Sequence, residues 1–222
     1  MQNKMKLIEA PPTTLSDEQP SVKTSAEKSD LDLTSYGSPI FFRSSGLICG
    51  TYLPSDDDFD RGILMTDVGL FPATVNENIR RFFKKHSKKK TLRVKHHFIC
   101  WVRGIPEPPY YQLALASRTG KNNLPSMFPV NNSFISQGIV TERSSERVIL
   151  KVQMNARPNR TKDIIEQSVN YLEIKDCPGK VRTSQFWQFR TTFQEGFLHY
   201  QSGELLANAK VTKKFLKDTA AQ

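Results

Sequence analysis

The sequence predicts a mainly β protein built as two tandem small β-barrels. Short runs that alternate apolar and polar residues recur along the chain between Gly, Pro and Asn turn signals. A single strongly amphipathic helical segment interrupts them. A polar connector rich in Pro and Asn then divides the runs into two groups of about five.

Residues 1–37 are rich in Pro, Ser, Thr and Glu and poor in large apolar side chains, so a disordered acidic arm is expected. Residues 38–118 form the expected first barrel. SPIFFRSSGLICGTYL reads as a strand region interrupted by glycine. After the acidic loop PSDDDFDRG, GILMTD and LFPATV pair as a hairpin about Val68-Gly69. TVNENIRRFFKKH follows as a helix over about 75–86. Thr74 and Glu77 have capping-box spacing. Val75, Ile79, Phe82, Phe83 and His86 share one side, while Arg80, Arg81, Lys84 and Lys85 share the other. TLRVKHHFICWVR and YYQLALASR complete this half as strands.

Residues 119–133 read as a linker. Residues 134–209 form the second barrel, from FISQGIVTER and ERVILKVQMN through a basic loop, ARPNRTK, to SQFWQFRTTF and FLHYQSGELLA about a Glu195-Gly196 turn. In this half the intervening helix is expected to be absent or reduced to a loop. The halves read as alike in architecture and not in sequence. Residues 210–222 are a basic tail.

Strand, strand, strand, helix, strand, strand resembles the order of an OB barrel, a topological likeness over residues 40–118 that rests on no residue motif. It implies a nucleic-acid-binding module. An SH3-like barrel and an α+β sandwich share parts of this pattern and stay open. The whole chain is also faintly similar to cyanobacterial proteins of no known activity, which implies nothing about function.

The formal net charge of +10 is unevenly placed. Residues 38–124 hold fourteen basic against seven acidic residues, and 210–222 four against one. Between Glu77 and Glu107 there is no acid at all. Such localisation suggests a polyanionic partner. On the strand TLRVKHHFICWVR, alternation gives a core face of Leu92, Val94, His96, Phe98, Cys100 and Val102. The other face carries Arg93, Lys95, His97, Ile99, Trp101 and Arg103. Cations interleaved with a tryptophan suit a single-stranded nucleic acid, whose bases stack while its phosphates meet the charges. The alternative is that Trp101 packs beneath the second barrel and the cations are merely solvated.

Arg80, Arg81, Lys84, Lys85, Lys88, Lys89 and Lys90 are therefore expected at phosphates. Arg93, Lys95, Trp101 and Arg103 are expected to form the sheet platform. The helix lacks obvious i,i+4 acidic partners, which strengthens this reading. A second platform on Phe186 and Arg190 is the minor reading of the aromatic FWQFRTTF stretch, whose Trp187, Phe189 and Phe193 read as core.

Other chemistries find little support. Asp56, Asp58, Asp60 and Asp67 match a calcium-loop count in part, but Arg61 stands where that loop needs Gly. His96 and His97 point to opposite strand faces, so no metal is expected. Of the three cysteines, Cys49 and Cys100 lie in apolar runs and are expected buried, with Cys177 exposed in a turn. No nucleophile elbow, phosphate-cradling loop, dinucleotide fingerprint or zinc-protease motif occurs. A non-catalytic, cofactor-free protein binding RNA or single-stranded DNA is the expectation. The rivals are an adaptor whose basic face docks on an acidic protein, and attachment to anionic lipid. No apolar run is long enough to span a membrane, and with no signal-like N-terminus a cytoplasmic location is expected.

Overall fold

The computed structural model describes residues 41–85, 94–120, 125–128, 130–153, 155 and 168–220. The expected arm and the cations Lys88, Lys89, Lys90 and Arg93 lie outside the described residues, as does most of the ARPNRTK loop. Among the described residues ten strands and two helices follow in order: β1 (Arg43–Pro54), β2 (Arg61–Thr66), β3 (Gly69–Val75), α1 (Glu77–Lys85), β4 (His96–Gly104) and β5 (Tyr111–Thr119), then β6 (Ser133–Arg143), β7 (Arg147–Val152), β8 (Asn170–Lys175), β9 (Phe186–Gln194), β10 (Phe197–Ala207) and α2 (Ala209–Ala220). The fold is mainly β, as the alternation predicts. The tail carries α2, a helix not foreseen, capped by Asn208, whose Oδ1 accepts from the Lys210 and Val211 amides at 3.0 Å.

The first five strands close into a ring in the order β1-β2-β3-β5-β4-β1, with β3 and β5 parallel and the other pairs antiparallel. The glycines of β1 do not interrupt it. Gly46 and Gly50 are where neighbours press closest: a Cβ on Gly46 would lie 1.9 Å from the Phe134 ring. The last five strands close in the same order, β6-β7-β8-β10-β9-β6, with β8 and β10 parallel. At the Glu195-Gly196 turn both residues have positive φ, 50° and 80°, which suits the two-residue hairpin between β9 and β10.

The rings are joined by antiparallel pairing of β1 with β6. In that pairing Ser44 lies opposite Ser136. Here the halves do share a sequence signal. Phe42, Ser44, Gly46, Leu47 and Ile48 recur at the same spacing as Phe134, Ser136, Gly138, Ile139 and Val140. The repeated positions pair about Ser44 and Ser136 as a local two-fold axis requires, since Arg43 faces Gln137 and Ser45 faces Ile135.

One core runs through both rings. The ring of Phe193 on β9 lies 4.7 Å from Phe71 on β3, 5.2 Å from Tyr111 on β5 and 4.8 Å from Phe134 on β6. Trp187 and Phe189 are core, as alternation predicts, but Phe186 is also fully buried, against Phe42 at 5.2 Å. It cannot serve as a stacking surface. In the first ring α1 adds Ile79 and Phe83 to the core, and in the second the loop 176–185 adds Cys177 and Val181. Cys177 is thus buried, not exposed, while Cys49 is only half-buried and Cys100 is fully enclosed.

Candidate nucleic-acid interface

The register decides which side chains share a surface. Ser45 lies opposite Trp101, and Ser45 also lies opposite Ile135, which faces Arg190. Directly opposite residues in an antiparallel pair point to one face. Trp101, Ser45, Ile135 and Arg190 therefore form one row across β4, β1, β6 and β9. One position along on that face come Arg103 on β4, Arg43 on β1, and Gln137 with Gln188, whose amides are bonded at 2.7 Å. Trp101 is 56% exposed, so it does not pack beneath the second barrel. Arg103 is exposed and Arg43 half-exposed, and neither has an ion-pair partner among the described residues.

The connector is more than a linker. Phe128, 1% exposed, packs on Leu47, Ile135 and Ile99 in a small cluster outside the barrels. Arg190 holds the same segment by donating from Nη1 to the Met127 carbonyl at 3.3 Å. Connector and sheet together wall a cleft of about 810 Å³, lined by Phe41, Arg43, Trp101, Arg103 and Met127 on one side. On the other stand Val152, Gln153, Asn155 and Asn170 from the end of β7 and the start of β8. No acidic residue lines it among the described residues. A smaller hollow behind Trp101 continues towards Asn76 and Ala116.

Two asparagines of the second barrel tie that side to the first barrel. Asn155 accepts from the Phe42 amide and donates to the Phe42 carbonyl, both at 2.8 Å. Asn170 accepts from the Gly104 amide at 2.7 Å and donates to the Val102 carbonyl at 2.9 Å. Against Gly104 the approach is so tight that a Cβ would meet the Tyr171 carbonyl oxygen at 2.0 Å. These two residues, with Phe41, Arg43 and Met127, are parts of the site that sequence reasoning missed. Arg43 stands beside the FF pair of the first strand, and alternation alone aligns it with Trp101 only once the β1–β4 register is known.

The basic helix departs from expectation in two respects. Asn76, not Thr74, is the cap: its Oδ1 accepts from the Ile79 amide at 3.1 Å. Its polar side also does have acidic partners. Glu77 pairs with Arg81 at 2.9 Å and with Arg80, and Arg80 reaches Asp60 at 3.0 Å. Lys84 and Lys85 are exposed and have no ion-pair partner among the described residues. Phe82 lies at the edge of the apolar side: partly buried, it packs against Phe83 and the core, with the Arg118 guanidinium 4.1 Å from its ring centroid. Lys95 is tied to Asp67, which removes it from the free charges of the platform. Of the acids in the calcium-like stretch, Asp58 pairs with Arg61, Asp60 with Arg80 and Asp67 with Lys95.

Of the residues expected at phosphates or on the platform, the structure brings Trp101 and Arg103 together in the cleft. It keeps Lys84 and Lys85 apart from them on α1 and pairs off Arg80, Arg81 and Lys95. Comparison of the chain with family models, curated proteins and solved structures finds no match, so neither the OB likeness nor the cyanobacterial one is carried by relationship.

Proposed function

We propose that the protein is a non-catalytic binder of single-stranded nucleic acid, RNA or DNA, acting through the sheet face of its first barrel. One observation carries this reading. An exposed tryptophan shares a sheet face with Arg43 and Arg103, which have no ion-pair partner, and no acid lines that surface, among the described residues. Stacking supplies affinity that any base can provide, and the guanidiniums supply the charge that a phosphate backbone needs. A closed five-stranded barrel in the order β1-β2-β3-β5-β4-β1, with a helix between the third and fourth strands, is the kind of frame on which an OB-like reading rests, and it favours the same class.

Titration of labelled oligo(U) and oligo(dT) at several salt concentrations tests it. Affinity is expected to fall with a log–log slope of about −0.7 per neutralised phosphate. Absence of saturable binding at low salt, or binding unchanged in both Trp101→Ala and Arg103→Gln, defeats the proposal in favour of an acidic protein partner.

A further inference from the structure

OB barrels commonly take oligonucleotides on the face of strands 2 and 3 and the loops that flank it. In this chain that face is unsuited to a polyanion. Register places Leu53 opposite Ile63 and Met65 opposite Leu70, and all four side chains are over 40% exposed. The loop joining β1 to β2 carries Asp56, Asp57, Asp58 and Asp60, and the loop joining β4 to β5 contributes Glu107 and no cation. An approaching phosphate meets apolar surface bordered by carboxylates.

The seam offers the opposite chemistry. Its cleft joins Arg43, Arg103 and Trp101 of the first barrel to Gln153, Asn155 and Asn170 of the second, with no acid among the described lining residues. The volume, about 810 Å³, lies in the range of clefts that take small ligands, and the cleft is open to solvent along one side. Resting on the nucleic-acid reading above, we infer that the single strand is bound in this seam cleft, as a bipartite site. The base stacks on Trp101 and the phosphates face Arg43 and Arg103. The end of β7 and the start of β8 close the far wall, so the second barrel is part of the site and not a spare module.

Gln153→Glu tests the wall. Gln153 is half-exposed and has no side-chain hydrogen bond among the described residues, so the near-isosteric change adds a negative charge to the cleft without removing such a bond. Ile63→Glu adds the same charge to the face of β2 and β3. With oligo(U) and oligo(dT) of about a dozen nucleotides, Gln153→Glu is expected to weaken binding about tenfold at low salt while Ile63→Glu leaves it unchanged. Melting temperatures of both variants check that neither has lost its fold. If Ile63→Glu weakens binding as much as or more than Gln153→Glu, or if Gln153→Glu has no effect while Trp101→Ala does, the seam assignment is overturned and nucleic-acid binding itself stands. If none of the three changes binding, the reading on which the inference rests falls with it.

Discussion

Trp101 is exposed on a strand whose alternate side chains are core, so its removal is expected to separate binding from stability. Trp101→Ala should weaken single-strand binding by about 1–3 kcal/mol and leave the salt slope unaltered, because a ring contributes stacking and no counterion release. Calorimetric melting alongside the titration checks the stability half. Phe128→Ala is the converse case. Its ring fills a small cluster, and its loss is expected to cost about 3 kcal/mol and to release the wall of the cleft. Titratable groups add a pH signature. Burial pushes the Cys100 thiol up to about 12, and burial followed by the nearby Asp176 pushes Cys177 to about 12. Burial also raises the Tyr52 and Tyr111 phenols. All four hold their protons longer when folded: the stability from the thiols is whole below their ordinary 9.0 and is lost as pH rises towards 12, and that from the phenols begins to be lost only above their ordinary 10.0. Denaturant midpoints compared between about pH 8 and about pH 11 should fall at the alkaline end. The burial of Cys100 and the opposite facing of Trp101 were readable from alternation on one strand, but not whether the second barrel covers that ring, and Val94, placed on the core face, is exposed. The burial of Cys177 was not readable, since a loop that folds back into a barrel depends on strands far away in sequence.

At the scale of elements, α1 was legible in outline and misread at its start. Ile79 and Phe83 recur at helical spacing and are the two side chains the helix buries. Thr74 and Asn76 are both competent caps, but β3 runs on to Val75 and pairs with Leu115 of β5, which commits the Thr74 backbone to the sheet. Asn76 also donates from Nδ2 to the Ala116 carbonyl at 2.6 Å, tying the cap to β5. Asn76→Ala should therefore destabilise the fold by about 1 kcal/mol or slightly more, as read from denaturant midpoints. Lys84 and Lys85 tell whether the helix joins the binding surface. Replacing both with Gln should flatten the salt slope if they meet phosphates, with little change in melting temperature because both are exposed. The pairing of Arg80 and Arg81 with Glu77 is why the helix offers fewer free charges than its composition advertises.

For the whole molecule, the number and order of strands were legible, while the joint between the halves was not. The connector reads as polar because Pro and Asn dominate it, and Phe128 gains its partners only when β1 and β6 stand side by side. Phe193 makes the same point in the core, where one ring touches strands of both barrels. The barrels are accordingly expected to unfold together. Each contains one tryptophan, Trp101 in the first and Trp187 in the second. Variants keeping a single tryptophan, Trp187→Phe and Trp101→Phe, should show denaturation midpoints that shift in step when Phe193→Ala is added, by about 3–5 kcal/mol in each. Two separated transitions would contradict a shared core.

The pairing of Ser44 with Ser136 has one more consequence. Two identical barrels meeting about such an axis would build the same cleft twice, and a tryptophan gained by one would be gained by both. Joined in one chain, the halves are released from that constraint. Where β4 carries Trp101 and then Arg103, the matching positions of β9 carry Gln188 and then Arg190. The guanidinium is kept on both sides and the ring on one. A single chain lets a locally symmetric frame hold an unsymmetric surface.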